Sequence, residues 1–465
     1  MTTTQLVWLR NDLRLDDNPA LYLAQQQGGI EVVFVACPGQ WQQHDESAAK
    51  LGLKADSVKD IQQQLASKGI PLHLLETAMF ADVPDLLLDF CQQQNFSALW
   101  FNQETPLDER RRDQAVVDIF TEAGIACHAL ETDLLVALPV LTQQDEPFKV
   151  FTPYYRRWLQ LLQETQREPY PEPEKQAEAF NVDWQKPDWA GDYRDDIWPA
   201  AEDELLAKLD KFCEKRLKHY SERRDFPAEP ATSLLSPYLS IGRLGPRRLL
   251  ASIQYHCGAQ KMHWQDNVWL QELAWRDFYR QLLLHFPRLS MEKPFKPETD
   301  QVIWSDNEDG FRAWCAGRTG FPIVDAAMRQ LIQTGWMHNR LRMISASFLS
   351  KLLLIDWRRG EQFFMQHLID GEFAANNGGW QWSASTGVDA APYFRVFNPT
   401  RQSERFDPEG EFIRRFVPEL AELSGKQIHN PSDEQRSKLG YPAPVIDYKP
   451  ARQQAIEAFA NLKNS

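Results

Sequence analysis

The chain has 465 residues, 43% of them hydrophobic, and a formal net charge of -14; that excludes a single small domain and leaves room for a sizeable core. An acidic balance alone argues against a nucleic-acid partner, yet phosphate is met by local clusters, so the matter turns on where the arginines gather. Six scattered cysteines (Cys37, Cys91, Cys127, Cys213, Cys257 and Cys315), with no CxxC and no Cys/His metal spacing, support neither a disulfide framework nor a zinc site.

The first residues carry Arg10 and Asp12 where a signal peptide needs an apolar run. The longest apolar stretch, residues 134–141, is short and broken by Pro139, so no membrane span, no metal and a soluble cytoplasmic setting are expected. Apolar runs at 6–9, 32–35, 72–75, 98–101 and 126–130 alternate with helical segments such as 56–67 and 110–123. That rhythm predicts a doubly wound parallel sheet, and the absence of GxGxxG after the first run gives no sign of a dinucleotide on it. Residues 168–195, rich in Pro, Glu and Trp, read as a long connection. From about residue 202 the pattern is helical; Pro322 marks a helix start, followed by Ile323, Val324, Ala327, Met328 and Leu331 at helical spacing. The expected fold class is therefore α/β then all-α. A sheet domain is expected over 1–131, a linker over 132–200 and a helical domain over 201–465.

Three segments carry unusual chemistry. Trp269, Glu272, Trp275, Arg276 and Tyr279 share one side of a helix. Aromatic planes alternating with a carboxylate and a guanidinium suit a stacked, edge-bonded base, although packing is the simpler reading of this helix alone. In the run from Trp336 through Met337, His338, Asn339, Arg340, Leu341 and Arg342 to Met343, the two arginines diverge, so one can reach a phosphate while the other turns inward. His338 reads as a core or capping residue. The third run passes from Asp370 and Glu372 to Asn376, Asn377, Gly378, Gly379, Trp380 and Trp382. Its glycine pair allows close backbone approach to a ligand, and an Asn-Gly-Gly sequence is also common in loops.

With the opening Leu6-Val7-Trp8-Leu9-Arg10-Asn11-Asp12-Leu13-Arg14 and the run Thr232-Ser233-Leu234-Leu235-Ser236-Pro237-Tyr238-Leu239-Ser240-Ile241-Gly242, these segments resemble the photolyase/cryptochrome family from end to end. Within it they resemble the class I cyclobutane pyrimidine dimer photolyases. The resemblance implies FAD, used fully reduced, in the helical domain. Tyr220, Thr232, Ser233, Leu234, Leu235, Ser236, Trp269, Glu272, Arg276, Trp336, Asn339, Arg342, Asp370, Glu372 and Asn376 are expected to line it. Hydroxyls and backbone N–H groups in the Thr232 to Ser236 loop suit a pyrophosphate. Asn376 matches the position facing flavin N5, where plant cryptochromes carry Asp. A neutral amide gives up no proton, which favours repair over signalling. Trp304, Trp357 and Trp380 match the family's electron-hopping chain.

The implied substrate is UV-damaged DNA whose lesion leaves the duplex to meet the flavin. Trp275 and Trp382 resemble the walls on which the flipped bases pack. Glu272 and Asn339 are expected to bond their edges, with Met343 alongside and the Glu272 carboxyl raised by burial. Arg224, Arg276, Arg340 and Arg395 are the candidates for phosphate contact. Six-four photolyases use two histidines where Asn339 and Met343 stand, so their chemistry is disfavoured. The implied reaction is electron transfer from excited FAD to the dimer, ring splitting and electron return. For an antenna, Glu109 matches a folate-binding acid, with Asp108 where Asn is usual. The expected lysine is replaced by Met291, with Lys293 close by, and 5,10-methenyltetrahydrofolate is the leading expectation. A monomer is expected. The rivals are a blue-light sensor, whose usual mark is a longer C-terminal tail, and a flavin electron-transfer protein without DNA. The second has no use for the Trp275 and Trp382 pair.

Overall fold

The structure, a computed structural model, describes residues 4–130, 134–136, 139–164 and 168–463. The expected boundary between residues 131 and 132, and part of the apolar stretch at 134–141, lie outside the described residues. Five strands form one parallel sheet: β1 (Thr4–Leu9), β2 (Gly29–Ala36), β3 (Leu72–Glu76), β4 (Ala98–Asn102) and β5 (Ala126–Leu130), in the order β3-β2-β1-β4-β5. Val7 pairs with Val32 on one side and Trp100 on the other. The central strands are covered on both faces, which is why they read as unbroken apolar runs rather than alternating ones. Helices α1 (Pro19–Gln25), α2 (Ala48–Ser67), α3 (Val83–Gln94) and α4 (Leu107–Glu122) make the crossovers. Asn18 starts α1 by accepting the N–H groups of Ala20 and Leu21, with Pro19 in the first turn.

The chain reverses direction between β1 and β4, the point where an open sheet leaves a crevice at its carboxyl edge. Side chains of the protein itself fill that edge. Arg10 lies 4.1 Å over the Trp8 ring and 4.8 Å over Phe101, and bonds Asp113 at 2.7 Å and the Asn102 carbonyl. Arg112 lies 4.8 Å from Trp8 and 4.4 Å from Phe80, and bonds Glu104 at 2.6 Å. Burial pushes the Glu104 carboxyl up, but Arg10 and Arg112 outweigh it and leave it at about 2.

By packing the chain divides into two units, one of residues 1–218, 233–287 and 369–374, the other of residues 219–232, 288–368 and 375–465. The 240s fall in the first unit, bonded to the loop after β1 and to α2. Arg14 donates to the Gly242 carbonyl at 2.9 Å, Arg243 to the Leu13 carbonyl at 3.4 Å and to Asp60, and Arg248 pairs with Asp16 at 2.6 Å. The first unit also holds the long helix α5 (Val268–His285). The 168–195 connection contains no helix or strand.

Further along come α6 (Asn339–Ser347), a π-helical turn (Phe348–Leu352), α7 (Trp357–His367), α8 (Phe373–Ala384) and α9 (Tyr448–Ala460). In the second unit the Pro322–Thr334 helix buries Ile323, Val324, Ala327, Met328 and Leu331 in a core shared with Trp314, Trp357, Phe364 and Trp380. The six cysteines are free. Among the described residues no helix is long and apolar enough to cross a membrane, and no group of His, Cys, Asp or Glu is arranged to hold a metal.

Candidate functional site

In the first unit, α5 carries Trp269, Glu272, Trp275 and Arg276. Asn267 caps it, accepting the Trp269 N–H at 2.9 Å, and Trp269 is buried against Phe212 with centroids 4.7 Å apart. Glu272 is half-buried, Arg276 buried. Asp277, beside Arg276 at 3.8 Å, accepts the Trp158 indole N–H at 3.0 Å and the Leu135 N–H at 3.1 Å. Burial raises its carboxyl to about 6, against the pull of Arg276 and Trp158. Asp277 thus ties α5 down next to the arginine of interest. The ring of Trp275 stacks on Phe151 at 3.6 Å and 7°, so one of its faces is taken by a side chain that sequence reading passed over. Asp370 is buried. Glu372 pairs with Arg280 at 2.5 Å; burial would raise its carboxyl, but Arg280 and Arg276 hold it below the ordinary value. Between Ser233 and Ser236 the chain makes a tight loop in which Leu234 is held at φ 57° and the Leu235 N–H donates to Ser233 Oγ at 3.4 Å. A left-handed leucine is costly and persists only where its surroundings over-determine it.

The second unit carries Thr232, Tyr220 and Arg224, whose guanidinium lies 5.7 Å over the Tyr220 ring. His338 caps α6, its Nδ1 accepting the Arg340 N–H at 3.2 Å; burial lowers it to about 4, so the ring stays neutral and able to accept. Arg340 pairs with Asp225 at 2.7 Å over the Phe406 ring, while Arg342 turns back to the Met337 carbonyl at 2.8 Å. The two arginines diverge. Trp336 and Met343 are half-buried and Asn339 is exposed.

Residues 376–379 lie inside α8 rather than in a turn. Helical spacing therefore puts Asn376 and Trp380 on one face. Asn376 Nδ2 donates to the Glu361 carbonyl at 3.0 Å, and Asn377 Nδ2 to Glu361 Oε1 at 2.9 Å. Trp380 meets Phe364 edge-on at 4.9 Å and Trp314 at 6.0 Å, and its Nε1 finds no acceptor among the described residues. A Cβ on Gly360 would stand 2.1 Å from the Trp380 ring, so only glycine lets that ring seat against α7, three residues from Trp357. Trp357 is fully buried and Trp304 half-buried against the same core. Trp382 is half-buried, and Arg395 is exposed.

Asp108 and Glu109 open α4 in the first unit. His44 lies between them, 3.3 Å from Asp108 and 3.7 Å from Glu109. Burial and the nearby Glu104 raise the Glu109 carboxyl, against His44 and Arg112. Lys293 is paired with Asp300 at 3.2 Å in the second unit. Sequence reading missed His44, Phe151, Arg280 and Gly360; each matters through a contact with a residue distant in the chain, and none sits in a motif.

Fold and side chains define a class: a parallel-sheet region joined to helices that bear a tryptophan-rich core and diverging arginines. Residues 5–174 match the model of DNA photolyase, and residues 269–461 that of the FAD binding domain of DNA photolyase. The chain is 43% identical to the deoxyribodipyrimidine photo-lyase of Salmonella typhimurium, over 98% of each. It superposes with a TM-score of 0.88, at 35% identity over 100% of this chain and 98% of the other, on a bacterial class III photolyase from Agrobacterium tumefaciens. It also superposes with a TM-score of 0.79, at 30% identity over 98% and 100%, on an archaeal photolyase from Sulfolobus tokodaii solved with two FAD molecules. The chain belongs to the DNA photolyase family and carries that family's FAD-binding domain.

Proposed function

We propose that this protein is a light-driven enzyme that splits cyclobutane pyrimidine dimers in DNA. The observation that carries the reading is near-complete coverage at 43% identity of a relative named for that reaction. FAD suits the donor set. Thr232, Ser233 and Ser236 supply hydroxyls along a segment strained at Leu234, and Trp380 keeps a buried N–H without an acceptor among the described residues. Tyr220, Trp269, Arg276, Trp336, Arg342, Asp370 and Glu372 complete the cofactor's surroundings. When bound, FAD supplies the photoexcited electron that opens the dimer and receives it back.

The chain's own residues bind and orient. Trp275 and Trp382 stack the extruded bases, Glu272 and Asn339 bond their edges, and Met343 packs against them. Arg224, Arg276, Arg340 and Arg395 meet backbone phosphates, which fixes position without reading sequence. Asn376 presents an amide that gives up no proton. Trp304, Trp357 and Trp380 carry electrons inward when the cofactor is oxidised. The enzyme acts as a cytoplasmic monomer.

For the antenna, 5,10-methenyltetrahydrofolate at Asp108 and Glu109 is the reading we favour. The sheet crevice is occupied by Arg10 and Arg112, whereas Asp108 and Glu109 stand together at the start of α4 with His44 beside them. A violet absorption band in gently purified protein, lost on mild stripping, supports it; no such band counts against it.

Binding tests the main reading. Duplex with one thymine dimer should bind far more tightly than undamaged duplex, weakening steeply with salt. Glu272→Ala should cut repair while flavin absorbance persists. Equal affinity for both duplexes defeats the reading.

A further inference from the structure

We propose that Lys351 is a positioning residue, a buried ammonium that clamps both ends of the 385–393 loop and so sets the stance of Trp382 and Arg395, which flank it. The inference rests on the proposed function, in which those two residues touch DNA.

Lys351 sits in the π-helical turn Phe348–Leu352 and is completely buried. Such turns are rare and often mark functional positions. Its Nζ donates to Ser385 Oγ at 2.6 Å and to the Tyr393 carbonyl at 3.2 Å, and lies 5.0 Å from the Phe459 ring of α9. The charged neighbour acting on it is Lys296, of like sign; burial, with Lys296 adding to it, lowers the ammonium to about 7. A cation buried this way is expensive, and an apolar side chain of the same length would cost the fold less. Stability gives no reason for an ammonium here.

The loop does. Ser385, at φ 66°, donates onward to the Ala391 carbonyl at 2.5 Å, and the Ala391 N–H returns to the Trp382 carbonyl at 3.2 Å. Lys296 adds a backbone bond to the Thr386 carbonyl at 2.9 Å. Lys351 Nζ thus holds the loop where it leaves the Trp382 turn, with Lys296 Nζ on the Ser385 carbonyl at 3.4 Å, and holds it again at Tyr393, two residues before Arg395. Between them Phe394 is 59% exposed.

The test titrates flavin-loaded protein in the dark with duplex carrying one thymine dimer. Lys351→Met is expected to weaken binding about tenfold, the cost of ordering a loop no longer preset. Flavin absorbance, Tm (equal or higher) and repair per bound lesion at saturating DNA should be retained. Ser385→Gly suits the left-handed backbone while removing the hydroxyl, and should weaken binding in the same direction. Trp382→Ala and Arg395→Ala are the controls. If the controls weaken binding and Lys351→Met does not, the clamp is overturned and the functional reading stands. If the controls leave affinity unchanged, both fall. Loss of affinity matched by an equal loss of Tm in both loop variants also overturns the clamp, because the lysine would then serve the fold alone.

Discussion

Trp8 and Trp380 are both buried, and each has an indole N–H that meets no acceptor among the described residues, yet their surroundings are opposite. Trp8, near the carboxyl end of the central strand β1, has guanidinium groups 4.1 Å and 4.8 Å from its ring. Trp380, in the helical core, is packed edge-on against Phe364 and Trp314. A cation over an aromatic face draws on the ring's electron density and opposes its loss. Trp8 therefore holds an arginine pair, whereas the surroundings of Trp380 suit the electron-carrying role proposed for it. Trp357 stands between the two cases. Arg358 lies 4.9 Å over its ring, but that guanidinium is shared with Asp300 at 2.7 Å and Asp356 at 3.1 Å.

The contrast breaks most sharply in light. Trp380→Phe or Trp304→Phe should abolish photoreduction of oxidised flavin while sparing repair by pre-reduced enzyme, and Trp8→Phe should leave photoreduction intact; flavin absorbance under illumination decides. In stability the order reverses. Arg112→Met strips Glu104 and Asp113 of a buried partner and should cost about 3–5 kcal/mol, read by urea unfolding. Gly360→Ala forces a methyl into the Trp380 ring and should cost about 1–3 kcal/mol while slowing photoreduction.

A further effect lies in the pH profile. Burial raises the Glu361 carboxyl from 4.5 to about 7, with Asn377 opposing. Its contribution to stability is full below 4.5 and is lost as pH rises through about 7. Glu361→Gln keeps the acceptor for Asn377 and should remove that loss. Tm compared between pH 5 and pH 8 would show a fall in the parent that the variant lacks; parallel curves would contradict it.

Much of the fold was legible because burial on both faces writes a strand as an apolar run. The run at 6–9 lies within β1 and that at 98–101 falls one residue short of β4, the strands buried along nearly all their length. Helix α2 was read only from residue 56, although it starts at Ala48. Gly52 obscures its first turns, and it is there because a Cβ would stand 2.4 Å from the Gly191 carbonyl, a long-range approach invisible in the sequence. The glycine pair at 378 and 379 suggested a loop, yet both residues lie inside α8. The site followed the same rule. Residues within motifs were found, while Phe151 against Trp275 and Lys351 beneath the 385–393 loop depend on tertiary contact that no spacing announces.

Illumination of the reduced, flavin-loaded protein with an oligonucleotide carrying a single cyclobutane thymine dimer tests the account most directly. It predicts intact thymines restored in the light and none restored in the dark. A dimer left unchanged after full illumination, with flavin and DNA both bound, would contradict it.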